Sequence, residues 1–213
     1  MFEKFYEKAW DPSAFGACDH GSGAAAAGGK VEKCKVYVPN KAYLIGPMVQ
    51  VAADIVGAQC EVVVTEDKSK SPSGKLPYFE LADGTLLHEP EAIVNHYIRM
   101  NPSCGLHGNS VFEQAKIAEW SSWVQQNESV VTKGCLLQIW GLSKADSALF
   151  NKHLKSVMDL AKHLDSQLKG KKWLLGNNFT AADLFVGTFM TLLMQLVIDE
   201  SSRKKFPNLS KWW

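Results

Sequence analysis

What this chain lacks narrows its class first. No apolar run approaches ~20 residues, the length a helix needs to cross a bilayer, so no membrane span is expected. The N-terminus has no basic stretch followed by an apolar core and does not read as a secretory signal. An excess of one charge is also missing. Lys and Arg total 23 against 22 Asp and Glu, a formal net charge of +1, so no global field invites nucleic acid or an anionic membrane. Short basic clusters at Lys169 to Lys172 and at Arg203 to Lys205 read as solvated helix ends. The five cysteines (Cys18, Cys34, Cys60, Cys104, Cys135) are odd in number and never spaced Cys-x-x-Cys. That excludes a disulfide framework and fits a reducing compartment. Cys18 and His20 have no second pair at ligand spacing, so no metal centre is expected. His88, His96 and His107 have no Ser or Cys in a nucleophile motif beside them and read as surface or packing residues.

What is present divides into three stretches. Residues 1–30 read as an N-terminal extension. Phe2, Phe5, Tyr6, Ala9 and Trp10 fall at helical spacing, and a low-complexity Gly/Ala run from Gly21 to Gly29 follows as a linker. Residues 31–101 alternate in type. Val36 to Val38 reads as a strand, Pro47 to Val56 as a helix closed by Gly57, and Cys60 to Thr65 as a strand apolar throughout, as in a parallel sheet. Glu66 to Ser73 is a polar loop. Two short strands then flank Asp83-Gly84, a hairpin signal, and a helix follows from Glu89 to Met100. The predicted order β-α-β-loop-β-β-α is that of a thioredoxin-like module.

Residues 110–213 read as helical. Phe112, Ala115, Ile117, Ala118, Trp120 and Trp123 are expected to line one long amphipathic helix. Phe150, Leu154, Val157, Met158, Ala161, Leu164 and Leu168 stripe another. Thr180 and Asp183 form a capping box before an apolar helix, with Phe179 and Leu184 at hydrophobic-staple positions. The fold class expected is therefore α/β plus all-α: a thioredoxin-like N-terminal domain followed by a helical C-terminal domain.

Four motifs occur in order: Lys75-Leu76-Pro77, Glu89-x-x-Ala92-Ile93, Leu175-Gly176 with Thr180-x-Ala182-Asp183, and Phe206-Pro207-Asn208-Leu209-x-x-Trp212. Together they resemble the glutathione transferase superfamily. The match narrows through Val38-Pro39-Asn40, Gly57-Ala58-Gln59 and the Phe206 to Trp213 stretch, which is similar to the transferase-like domain of elongation factor 1 gamma subunits. The resemblance implies a further helix after Trp213, so a truncated or divergent copy is expected.

The same resemblance assigns roles. A transferase needs a group after its first strand to stabilise the glutathione thiolate, since a free thiol near pH 7 is mostly protonated. Tyr43 is the only hydroxyl in that loop, and packing beneath the helix is its other reading. Leu76, entering Pro77, would offer its backbone to a peptide-like ligand, and Glu89 would hold the glutamyl amine or simply cap its helix. The family's serine after that glutamate is Pro90 here, which removes a hydroxyl and an amide donor where an anion would bind. Three readings follow. The first is a non-catalytic interaction scaffold, cytoplasmic, among protein subunits such as elongation factor 1 components, with no required cofactor and at most weak glutathione binding. The second is an active transferase using Tyr43. The third is an accessory subunit of another assembly, organellar in one version. Homodimerisation stays open.

Overall fold

The computed structural model describes residues 33–40 and 44–213. The chain divides into two compact units, the first ending at Cys104 and the second spanning Gly105–Trp213. The N-terminal extension and Tyr43 lie outside the described residues.

In the first unit, strand β1 (Lys33–Val38) alternates buried and exposed residues, as the two-residue strand period requires when one face is covered. Helix α1 (Ile45–Val56) follows and stops at Gly57, whose φ of 79° is the left-handed cap that glycine adopts without a Cβ penalty. Strand β2 (Gln59–Val64) runs parallel to β1. Strands β3 (Tyr78–Glu80) and β4 (Leu86–His88) form an antiparallel hairpin through the Asp83-Gly84 turn, with β3 pairing β1. Helix α2 (Pro90–Met100) closes the unit. The sheet order is β2-β1-β3-β4. This is the thioredoxin-like order read from the sequence, and β2 is parallel to β1 as expected, with one correction. β2 is not apolar throughout: Glu61 interrupts it, and as an edge strand it leaves its valines part-covered, with Val64 48% exposed.

One sheet face carries Val36 and Phe79, both fully buried, with α1 and α2 packed nearby through Val49, Ala52, Ile93 and Val94. The other face carries Tyr37, stacked on Tyr78 at 4.5 Å between ring centroids. The Tyr37 hydroxyl donates to Glu80 Oε2 at 2.7 Å, and Lys70, from the polar loop, donates to Oε1 at 2.9 Å.

The second unit is helical. Helix α3 (Val111–Val131) is capped by Ser110, whose hydroxyl accepts from the Glu113 amide at 3.1 Å. It runs on through a π-helical turn at Thr132–Leu136 to Leu137–Ile139. Helix α4 (Ser147–Gln167) starts at Asp146, whose carboxylate accepts from the Leu149 amide at 2.9 Å. Helix α5 (Ala181–Leu196) is the core of the unit, and helix α6 (Pro207–Trp212) follows a short turn.

The α4 stripe buries Val157, Ala161, Leu164 and Leu168, as its spacing predicts. The α3 stripe does not hold. Ile117 and Trp120 are buried, but Phe112 is 73% exposed and Ala115 and Ala118 are exposed. At 3.6 residues per turn the two alanines fall on the side opposite Ile117 and Trp120, so the six residues never shared a face. Along α5, Leu184, Val186, Met190, Leu193 and Met194 are fully buried, each worth roughly 1.5–3 kcal/mol in transfer free energy. Two hydroxyls in this apolar helix are satisfied within it: Thr188 donates to the Leu184 carbonyl and Thr191 to the Gly187 carbonyl, both at 2.8 Å.

Candidate functional site

The register of the sheet assembles the site. Tyr78 pairs with His88 at the end of the antiparallel ladder, so Pro77, which precedes β3, and Glu89, which follows β4, leave the hairpin at the same end. Tyr37 pairs with Tyr78, which brings the end of β1 to the same end of the sheet. Pro77 and Glu89, 12 positions apart in sequence, come to one end of the sheet because the hairpin folds back.

Three local features shape this edge. The Leu76–Pro77 peptide is cis. Neither the Leu76 N–H nor its carbonyl makes a hydrogen bond among the described residues, so a peptide-like ligand has one donor and one acceptor to pair with there. Glu89 is the N-cap of α2 and holds φ 69° and ψ 128°; it is the one non-glycine with positive φ among the described residues. That conformation costs roughly 1–3 kcal/mol for a residue with a Cβ and recurs at ligand clamps. Glu89 makes no side-chain cap, its carboxylate is exposed, and its carbonyl accepts the Ile93 amide at 3.1 Å.

Pro90 sits at the first helical position. Proline suits that position because its φ is already helical, so the fold tolerates it. It brings no hydroxyl and no N–H to the helix N-terminus, the point where backbone amides and the helix dipole favour an anion. The edge therefore leaves the Leu76 backbone groups unpaired among the described residues and the Glu89 carboxylate exposed, while the helix N-terminus carries one amide donor fewer and no hydroxyl at Pro90. Leu76 and Pro77 lie just before β3 and Glu89 just after β4, at one end of the hairpin, while Tyr43 lies outside the described residues.

The second motif, in the helical unit, is structural. Asp183 Oδ2 accepts the Thr180 amide at 3.0 Å and the Thr180 hydroxyl at 3.2 Å, and both halves of the capping box are formed. Asp183 Oδ1 also accepts the Leu174 amide and the Trp212 indole N–H, each at 2.9 Å. Burial pushes the Asp183 carboxyl above the usual carboxylate range, and these four donors pull it back. The box was legible in sequence, but the reach to Leu174 and Trp212 was not. Asp165 was missed altogether. It caps α6 by accepting the Asn208 and Leu209 amides at 2.8 and 3.0 Å and the Asn208 side-chain amide at 3.0 Å. A contact spanning 43 residues leaves no local signal.

A thioredoxin-like unit with a cis-proline ahead of its hairpin, followed by a helical unit whose core helix opens on a buried capping box, defines a protein of the glutathione transferase fold. The family description "Glutathione S-transferase, C-terminal domain" matches residues 129–213. A glutathione S-transferase-like protein of a Fusarium species, LUC7, is 34% identical over 151 residues, covering 70% of this chain and 68% of that protein. Elongation factor 1-gamma of Artemia salina is 28% identical over 173 residues, covering 76% of this chain but 39% of that longer protein. The solved transferase-like domain of elongation factor 1-gamma from Saccharomyces cerevisiae superposes with a TM-score of 0.72 at 17% identity, over 84% of this chain and 86% of that one. The chain belongs to the glutathione transferase superfamily, and elongation factor 1-gamma proteins are among its relatives.

Proposed function

We propose that the chain is a non-catalytic transferase-like domain that serves as a protein-interaction scaffold, in the manner of an elongation factor 1 gamma component. The observation that carries this reading is Pro90 at the start of α2, where transferases place a serine. A fold that keeps its cap, hairpin and core while giving up a hydroxyl and one amide donor at its ligand edge suits a structural role rather than turnover. Kinship with elongation factor 1-gamma proteins supports the assignment to a translation factor complex. Its partners are then other protein subunits, elongation factor 1 components among them, and its place is the cytoplasm. It needs no cofactor, and glutathione binds only weakly at Leu76, Pro77 and Glu89.

The test is calorimetric titration with glutathione, beside a conjugation assay. A hydrogen bond to a charged group contributes roughly 1.5–3 kcal/mol, so restoring the serine should tighten binding by about tenfold or more. The expected result is no turnover in the native chain and a gain in affinity in Pro90→Ser. A second reading, an active transferase, draws on the unpaired Leu76 backbone and on relatives that carry transferase names. Saturable turnover in the native chain that disappears in Tyr43→Phe would establish it and end the scaffold reading.

A further inference from the structure

Four large apolar side chains stand exposed at one turn of the second unit, where the helical run after α3 ends and α4 begins. Leu142 is 72% exposed, and Ile139, Trp140 and Leu149 are each more than a third exposed. Ile139 lies one turn beyond Cys135, which is fully buried, so the apolar stripe of this helix outlasts its cover. Single exposed apolar residues are ordinary on a protein surface, but several gathered at one place mark an interaction site.

The backbone of this turn is held before any partner arrives. The Leu142 and Ser143 amides both donate to the Leu137 carbonyl, at 2.8 and 3.1 Å. The Gln138 side chain ties the two helices together. Its amide nitrogen donates to the Gly134 carbonyl at 2.9 Å, and its oxygen accepts the Asp146 amide at 2.8 Å. The Asp146 carboxylate in turn accepts the Leu149 amide as the cap of α4. A surface fixed in this way is already ordered, which lowers the cost of binding.

Charge says what kind of partner fits. Between Lys133 and Lys155 the chain carries four lysines, all exposed, against the single carboxylate of Asp146. None of the four forms an ion pair among the described residues, while the chain as a whole is almost neutral. Lys144 lies in the turn itself, and Lys152 follows Leu149 by three residues on the same side of α4. An apolar centre rimmed by lysines is complementary to an apolar patch rimmed by carboxylates. A helix bound flat in a membrane surface spreads its apolar residues along its length, whereas these are gathered on a fixed turn.

Building on the scaffold reading, we propose that the α3–α4 turn, centred on Trp140 and Leu142, docks an acidic, apolar-centred surface of another protein subunit. Trp140 and Leu142 supply the contact that leaves water, and the lysines steer the encounter and fix its orientation.

The experiment isolates the native complex of the full chain from its own cells and treats it with a carbodiimide, which joins lysine amines directly to carboxylates. The cross-linked subunit, once purified, is then titrated onto the native chain, Trp140→Ser/Leu142→Ser and Lys144→Glu/Lys152→Glu. All four side chains are exposed, so the variants should keep the native melting temperature. The expected result is a cross-link from Lys144 or Lys152 to an Asp or Glu of a partner subunit. Affinity for that subunit should fall about thirtyfold in the apolar variant. The charge variant should slow association, most at low salt. Partner subunits held equally by both variants, with no cross-link from the turn, would overturn the surface and leave the scaffold reading standing. So would a cross-link from the turn to a second copy of this chain, or variants that keep every subunit but lose binding to vesicles containing phosphatidylserine. Recovery of the native chain without any partner would end both readings.

Discussion

Asp183→Ala is the perturbation whose cost the structure sets most tightly. The substitution removes the acceptor of four hydrogen bonds at 2.9–3.2 Å, given by Leu174, Thr180 twice, and Trp212. The Thr180 hydroxyl can turn to another acceptor, and the half-exposed Trp212 indole can reach water. The Leu174 and Thr180 amides are buried and have nowhere to go, and each such orphan costs about 1–3 kcal/mol. Removing a carboxyl whose burial already works against its charge returns part of that, on the order of 1 kcal/mol. The net expectation is a loss of about 3 kcal/mol, or roughly 10 °C in melting temperature for a chain of this size. Urea denaturation followed by circular dichroism measures the first and calorimetry the second. Trp212→Phe, which deletes one part-buried bond, should lose only about 1 kcal/mol. An Asp183→Ala variant that loses less than about 1 kcal/mol would refute the reasoning, because two buried amides cannot be orphaned so cheaply.

A Cβ on Gly134 would overlap the His153 ring of α4, so Gly134→Ala should cost about 1–3 kcal/mol in urea denaturation; a gain in stability, as helix propensity alone would give, contradicts the packing. The hydrogen bond to Glu80 pushes the Tyr37 hydroxyl up to about 12, and the bond from Tyr37 holds Glu80 below its ordinary value. The Tyr37 contribution is therefore whole below pH 10 and lost as pH rises towards 12, while that of Glu80 is lost as pH falls through the acid range. The stability difference between the native chain and Tyr37→Phe should be flat between about pH 5 and 10 and shrink outside it. Asp165→Ala should loosen α6 first, seen as faster amide exchange at Asn208 and Leu209 ahead of any change in α5.

Local grammar carried the parts of the fold that were legible in the sequence. The Thr180–Asp183 box, the Asp83-Gly84 turn and the Gly57 stop each sit within four residues, and each is formed as written. The hairpin end was half-legible: Leu76, Pro77 and Glu89 were named, but only the Tyr78–His88 pairing places their segments at the same end of the sheet. Two readings failed for one physical reason, which is that apolar character does not say which neighbour covers it. β2 looked apolar throughout and is a part-covered edge interrupted by Glu61. Ala115 and Ala118 looked like core, yet alanine is small enough to sit on either side of a helix. The Asp165 cap and the Tyr37–Glu80 bond each join positions 43 residues apart, which topology brings together and no local pattern announces.

The scaffold reading is tested most directly by isolating the full chain in its native complex from its own cells and weighing it, with mass spectrometry of the components. The account predicts stoichiometric recovery with other protein subunits, elongation factor 1 components among them. Recovery of the chain alone, or only with copies of itself, would contradict it.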